Sequence, residues 1–274
     1  MKIGITGANG FVGSMTMKRL SEAGHNVIPL KRPDWTIDDG TDVVVNCAAY
    51  IPPSYHDRSE FEKCMTNNAI GPLRLLDEAE KRGVKKFVHL SSGQIYRCVK
   101  EESDYRVPED SPMDPIERAS PYLISKMAGD CSVRSHRGKT QVVVLRPASI
   151  YGPGMKPVGI IHRLLNSIKN KELIDMTRED YFTDLVHVED VVAMIKHCTL
   201  ESKAIGVYNV GGGNPVQTAH LAKMLADILR VELPSNKPAP HLGHPALDIS
   251  RATQHFKYTP QKTKVGLESY LSTL

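Results

Sequence analysis

The apolar residues in the first half of the chain fall into short runs separated by stretches of helical spacing. "KIGIT" (2–6) is a short β-rich run closed by Gly7, and "FVGSMTMKRLSEAG" (11–24) has helical periodicity and stops at Gly24. "HNVIPL" is a second strand candidate and "DVVVNCAA" a third. The third is continuously apolar, as expected of a strand covered on both faces. A long helical segment is predicted over about 58–82, with a kink at Pro72 and a stop at Gly83. "KKFVHLSS" is the next strand, a polar loop covers 97–119, a helix is predicted over about 121–135, and "TQVVVLRP" is the fifth strand. Strands alternating with helices predict an α/β fold of the Rossmann type, a doubly wound parallel sheet.

Beyond Tyr151 the pattern loosens. "VGIIHRLLNSIKN" and "TAHLAKMLADILR" read as amphipathic helices, "DLVHV" and "GVYNVGG" as short strands, and 231–247 shows no period. The expectation is a dinucleotide-binding domain over 1–150 and a smaller C-terminal substrate lobe over 151–274, with segments near 182–212 returning to the main sheet.

Composition changes this picture little. Hydrophobic residues make up 41% and charged residues 24% of 274 positions, with a net charge of +4. No run of Lys and Arg interleaved with aromatics suggests nucleic acid, and no 18-residue apolar stretch suggests a membrane span. The five Cys form no C-x-x-C pair, so reduced thiols in a cytoplasmic protein are expected, with no metal site. "MKIGITGANG" enters a strand at once, with no signal-peptide apolar region.

The candidate chemistry begins in "TGANGFVG". Gly7, Gly10 and Gly13 are spaced three apart between a strand and a helix. Gly7 permits the sharp exit from the strand. Gly10 lets backbone N–H groups approach a pyrophosphate, and Gly13 lets the helix pack closely on the strand. The helix N-terminus adds partial positive charge. The second strand ends "PLKRPDW", with Lys31 and Arg32 where NAD-binding chains carry an acid. A cationic pair suits the 2′-phosphate of NADP(H). Asp34 is within reach of a ribose, so NAD(H) stays open as the alternative.

Three stretches read Tyr-x-x-x-Lys: "YRCVK" from Tyr96, "YLISK" from Tyr122 and "YTPQK" from Tyr258. Pro260 breaks the third, and Tyr96 enters a loop. Tyr122 follows Ser120, a good N-cap, and Pro121, a good first helical residue, so Tyr122 and Lys126 share one helix face. A free Tyr has a pKa of about 10, and a neighbouring ammonium together with oxidised nicotinamide is expected to lower it. The phenol then exchanges a proton while hydride moves at a nicotinamide. Ser92, with Ser91 beside it, ends a strand at the carboxyl edge and is the candidate second donor.

"TGANGFVG", "NCAAY", "NNAIGPLRLLDEAEKRGVKKFVHLSS", "PYLISK", "LRPASIYGPG", "LVHVEDVV" and "YNVGGG" occur in the order seen in extended short-chain dehydrogenases/reductases, the NAD-dependent epimerase/dehydratase family, which this chain resembles from residue 1 to about 213. The resemblance implies Ser92, Tyr122 and Lys126 as catalytic residues. It implies cofactor contacts at Gly7, Gly10 and Gly13 with Asn9, Phe11 and Val12, at Ala48 and Ala49, at Asn68, and at Pro147 and Ile150. Gln94 and Ser149 are candidate substrate contacts.

The departures from the family narrow the function. "SSGQIY" places Gly93 and Gln94 where 4,6-dehydratases carry acids, and no Cys follows Ser92 as in 3,5-epimerases. The short segment after the second strand resembles reductases of 4-keto sugars. The family's diphosphate-binding Arg is Thr183 here, with Arg178 a substitute from another position. The expected function is an NADP(H)-dependent ketoreductase of a 4-keto sugar nucleotide or related keto substrate. The alternatives are an NAD-dependent nucleotide-sugar 4-epimerase and a non-catalytic dinucleotide-binding protein. A homodimer through the 58–82 and 121–135 helices is expected from the same resemblance.

Overall fold

Runs such as Val43-Val44-Val45 have no polar face to offer water, so they are stable only between two helical layers. A computed structural model, which describes residues 1–31, 35–96, 106–114, 119–172, 182–233 and 246–274, shows how this is met. The chain runs β1 (Lys2–Thr6), α1 (Phe11–Glu22), β2 (Asn26–Pro29) and β3 (Val43–Asn46). A 3-10 turn (Arg58–Glu60) leads into α2 (Phe61–Met65), a π turn (Thr66–Ile70) and α3 (Gly71–Lys81), then β4 (Lys86–Leu90). β5 (Arg106–Val107), α4 (Pro121–Arg134), β6 (Gln141–Pro147) and β7 (Ser149–Tyr151) follow. Next come α5 (Ile160–Asn170), β8 (Phe182–Thr183), β9 (Leu185–His187), α6 (Val188–Leu200) and β10 (Gly206–Val210). The chain ends with β11 (Val216–Gln217), α7 (Thr218–Leu229), β12 (Ala246–Leu247), α8 (Ser250–Phe256) and α9 (Thr263–Leu271).

Six strands form one parallel sheet in the order β10-β6-β4-β3-β1-β2. The chain steps outward from β1 to β2 on one side and from β3 to β4 on the other. The switch point therefore lies between β1 and β3, where such sheets open a crevice at their carboxyl edge. Alternate strand residues serve the two faces. Ile3, Ile5, Val45 and Val88 pack with Val12 and Leu20 of α1 and with Val191 and Ile195 of α6. Val44, Phe87 and Val144 pack with Leu75 and Leu76 of α3 and with Val133 of α4. Burial of each such side chain contributes about 1.5–3 kcal/mol.

The long helical segment is interrupted just before the predicted kink. Pro72 has no N–H to offer the carbonyl of Asn68 four residues back, and the π turn Thr66–Ile70 takes up the mismatch. α4 packs onto this turn through Gly129, where a Cβ would overlap the Asn68 carbonyl oxygen. Pro72 thus helps set the height of the helix that carries Tyr122.

Leu164 and Leu165 of α5, Leu221 and Leu225 of α7, and Leu267 and Tyr270 of α9 form a separate apolar cluster. Three two-stranded pairings, β7 with β9, β8 with β11 and β5 with β12, connect it to the main body. β10 lies at the edge of the main sheet beside β6, and Ala252 of α8 packs in the main-sheet core. "DLVHV" is strand only to His187, which caps α6 by accepting from Glu189 N (3.3 Å).

A fully buried ion pair ties these layers together behind the carboxyl edge. Arg146 of β6 donates from Nε to Asp130 Oδ2 (2.9 Å) and from Nη2 to Asp130 Oδ1 (2.7 Å). Its Nη1 donates to the Tyr96 hydroxyl (2.7 Å) and to the Glu109 carbonyl (3.0 Å). The Tyr96 hydroxyl donates in turn to Asn209 Oδ1 of β10 (2.8 Å).

Candidate active site

The glycine turn sits at the β1 end of the crevice. Gly7 has φ +67°, and a Cβ there would meet Ala48 N at 2.9 Å. A Cβ on Gly13 would overlap the Gly7 carbonyl, so the helix reaches the strand only because both positions lack side chains. Gly10 is the N-cap of α1, which has no side-chain cap and no acidic residue in its first turn. Its leading N–H groups are therefore left for an anion. The Val12 side chain is buried in the core, so only its backbone faces the turn; Phe11 packs partly against the same core. These features fit a dinucleotide pyrophosphate.

Ala48 and Ala49 follow β3 across the crevice from that turn. Thr6 Oγ1 donates to Asn46 Oδ1 (2.6 Å) and accepts from Ala48 N (3.1 Å). Asn46 Nδ2 faces His89 Nδ1 (3.0 Å), and burial pushes the His89 imidazole down to about 3. A neutral polar chain thus fixes the ends of β1, β3 and β4. Asn68 acts one step back from the crevice. Its Oδ1 accepts from Tyr50 N (2.7 Å), and its Nδ2 donates to Tyr50 O (2.9 Å) and Ser125 Oγ (3.0 Å). With those bonds made, it holds the Ala48–Tyr50 segment against α4. Lys31 is exposed just past β2, on the glycine-turn side. Arg32, Asp34 and Arg178 lie outside the described residues.

The three Tyr-x-x-x-Lys stretches separate by environment. Tyr96 is fully buried and engaged by Arg146, and Lys100 lies outside the described residues. Tyr258 is buried and donates to the Gly211 carbonyl (2.9 Å). Tyr122 stands at the start of α4, where Ser120 Oγ accepts from Leu123 N (3.2 Å) and Pro121 opens the helix. Lys126, buried one turn on, donates from Nζ to the Leu90 carbonyl at the end of β4 (2.8 Å). That bond places the pair beside the strand end leading to Ser92. Ser92 caps the turn Gly93–Ile95, its Oγ accepting from Gln94 N (3.2 Å), which leaves its proton to donate. Ser91 is buried, with no hydrogen-bond partner for its Oγ within 3.5 Å, yet near enough to help hold the Asp130 carboxyl low.

Lys126 by itself does not lower the Tyr122 phenol. Burial pushes the phenol above the usual tyrosine range, with Tyr55 and Cys64 adding to the rise. The ammonium is turned to Leu90 instead. Lys126 itself is lowered from 10.5 to about 8 by burial, against the pull of Asp130 and Cys47. A basic group lowered on folding costs stability wherever it is charged, below about pH 8, and the cost fades as pH rises toward 10.5. The stability of Lys126→Met relative to the natural chain is therefore expected to fall by about 3 kcal/mol between pH 7 and 10.5. Denaturant unfolding at both pH values checks this; a difference constant with pH refutes the buried charge.

A cavity of about 880 Å³ opens beside this edge, lined by Gln94, Ser149, Ile150, Tyr55, His56 and Arg163 among others. Gln94, Ser149 and Ile150 were legible in sequence. Tyr55, His56 and Arg163 were not, for they lie in segments whose periodicity carries no site signal. Pro147 ends β6, its carbonyl 3.1 Å from where a Gly93 Cβ would stand. Thr183, at the family's arginine position, pairs with Val216 and lines the same cavity. A second cavity, about 630 Å³, opens at the amino ends of the strands by Val43, Lys86 and Gln141, away from the glycine turn. Among the described residues no cluster of His, Cys, Asp and Glu has metal-binding geometry.

Comparison with known proteins gives a consistent frame. A family model described as the NAD dependent epimerase/dehydratase family matches residues 3–211. A GDP-6-deoxy-D-mannose reductase of Pseudomonas aeruginosa is 30% identical over 253 residues, covering 84% of this chain and 80% of its own. A UDP-glucose 4-epimerase of Mycolicibacterium smegmatis is 27% identical over 302 residues, covering 95% and 94%. In fold, the chain is similar to the structure of RMD from Pseudomonas aeruginosa complexed with NADPH. The TM-score is 0.81 at 24% identity, over 99% of this chain and 98% of that one.

Proposed function

Because the chain belongs to the NAD-dependent epimerase/dehydratase family of extended short-chain dehydrogenases/reductases, we propose that it is an NADP(H)-dependent ketoreductase of a 4-keto sugar nucleotide or a related keto substrate. The observation that carries this reading is the Tyr122–Lys126 pair on a capped helix, tied by Lys126 to the β4 end, with Ser120 and Leu123 on either side of Tyr122 lining the 880 Å³ cavity. The dinucleotide would be held by Gly7, Asn9, Gly10 and Gly13, the backbone of Phe11 and Val12, and Ala48 and Ala49. Pro147 and Ile150 would flank its nicotinamide, and Lys31 and Arg32 would take the 2′-phosphate. When bound, it supplies the hydride to the carbonyl carbon.

Tyr122 donates its proton to the carbonyl oxygen, leaving a phenolate that regains a proton from solvent. A phenol held neutral by burial suits this acid role. Ser92 donates a hydrogen bond to the same oxygen. Lys126 holds α4 to the strand end and is the ribose contact. Gln94 and Ser149 line the substrate space, while Asn68 sets the floor through Tyr50.

The similarity to the UDP-glucose 4-epimerase keeps one second reading: oxidation and re-reduction of the same carbon with retained NAD. Purified protein distinguishes them. The ketoreductase reading expects no retained NAD, NADPH binding at least about tenfold tighter than NADH, and NADPH oxidation with a keto sugar nucleotide. Tightly retained NAD with no net NADPH oxidation overturns it.

The thiols of Cys47, Cys64, Cys131 and Cys198 are free, which supports a cytoplasmic location. Phe61, Ile70 and Leu73 are exposed on α2, the π turn and α3, and support a homodimer through that face. Leu73→Glu is expected to convert the dimer to a monomer in sedimentation; an unshifted mass for the variant removes that face from the interface.

A further inference from the structure

One contact at this site has no part in the chemistry above. The ring of Tyr55 lies on the ring of Tyr122, with centroids 4.8 Å apart and planes 19° from parallel. Tyr55 belongs to the loop after β3, not to the helix that carries Tyr122. That loop is anchored at both ends. Tyr50 is held by both backbone groups to Asn68, its hydroxyl donates to Glu60 Oε2 (2.7 Å), and the Lys63 ammonium sits 4.3 Å from its ring centre. Asp57 N donates to the Ser54 carbonyl (3.4 Å), and the Asp57 carboxylate caps the turn by accepting from Ser59 N (2.9 Å). Pro52, buried, and Pro53 stiffen the span between these anchors. Tyr55 is thus presented by a constrained arch. One face meets Tyr122, and the residue also lines the cavity while staying 41% exposed.

We propose that Tyr55 is a positioning residue for Tyr122: stacked on the phenol ring, it holds that ring in one orientation and covers one of its faces from water. Offset stacking of two aromatic rings fixes a side-chain torsion that a helix-start tyrosine otherwise samples freely. Two groups act on the phenol from the elements around it. Tyr55 comes from the loop and Cys64 from α2. Burial above all holds the phenol in its neutral form, while Lys126 is engaged by Leu90. Partial burial raises the Tyr55 phenol as well. A tyrosine that must deliver a proton is served by a neighbour that is aromatic, uncharged and fixed.

The kinetic part of this inference rests on the ketoreductase reading; the spectroscopic part does not. The test uses the full chain with Tyr55→Ala and Tyr55→Phe, each also made with Tyr122→Phe. Ultraviolet phenolate titration of each protein minus its Tyr122→Phe counterpart isolates the ionisation of Tyr122. Tyr55→Ala is expected to move that ionisation to lower pH. It is also expected to lower kcat by about tenfold or more with KM within about threefold. Tyr55→Phe, which keeps the ring and loses only the hydroxyl, is expected to keep kcat and KM and to hold the ionisation nearer the natural value than Tyr55→Ala does. An unmoved Tyr122 titration in Tyr55→Ala overturns the proposal. So does a rise in KM at unchanged kcat, which would make Tyr55 a substrate contact only. If the natural chain turns over no keto substrate, the ketoreductase reading fails, and the titration alone decides the role of Tyr55.

Discussion

Tyr122→Phe is expected to lower kcat by about a hundred- to ten-thousand-fold while leaving NADPH affinity within about threefold of the natural value. The substitution removes one oxygen and keeps the ring that stacks on Tyr55. Ser120 still caps the helix through Leu123 N, and Lys126 still bonds Leu90, so the scaffold is unchanged. What is lost is the acid. Carbonyl oxygen that accumulates negative charge as hydride arrives then has only the Ser92 hydroxyl and water to draw on. Stopped-flow NADPH oxidation together with a fluorescence binding titration separates chemistry from binding. Turnover within threefold of the natural chain would show that another group supplies the proton and would favour the non-catalytic reading of this helix.

Asp130→Ala is expected to cost about 3–5 kcal/mol of folding stability, because it leaves the Arg146 guanidinium buried without its carboxylate. Both side chains are fully buried, and Arg146 places two donors on the one carboxylate. Burial by itself pushes the Asp130 carboxyl up, but the hydrogen bonds and charge of Arg146 outweigh it and hold it below the ordinary range. A carboxylate lowered on folding adds stability above its unfolded value and loses it as pH falls through the folded one. The deficit of the variant is therefore expected at neutral pH and to shrink only in acid. Replacing Asp130 and Arg146 together by Leu should recover much of the loss. Denaturant unfolding of the three proteins checks this; a single-variant loss under about 1 kcal/mol would mean that water reaches the guanidinium.

Much of the framework was legible because its signals are local. Gly7 and Gly13 are read from spacing, and the structure shows why no side chain fits at either. The strand runs are read from Val and Ile, and Ser120-Pro121 marks the start of the helix that carries Tyr122. The π turn was not legible, since the sequence shows a proline and the carbonyl it releases but not how the preceding turn adjusts. Nor was the behaviour of Lys126. Helical spacing places an ammonium near a phenol, but only the β4 end, distant in sequence, reveals that the ammonium is bonded to Leu90. The chain Thr6–Asn46–His89 and the Arg146–Asp130 pair each join residues on separate elements. Their members read singly as ordinary polar residues. Tyr55 is the same case, a loop aromatic whose partner is 67 positions away.

A crystal structure of the full chain with NADP⁺ and a sugar-nucleotide alcohol product tests the account most directly. It should place the Tyr122 hydroxyl within about 3 Å of the product oxygen. The pyrophosphate should lie on the Gly7–Gly13 turn and the 2′-phosphate against Lys31 and Arg32. A product oxygen served by a different side chain, or a dinucleotide bound away from that turn, would contradict it.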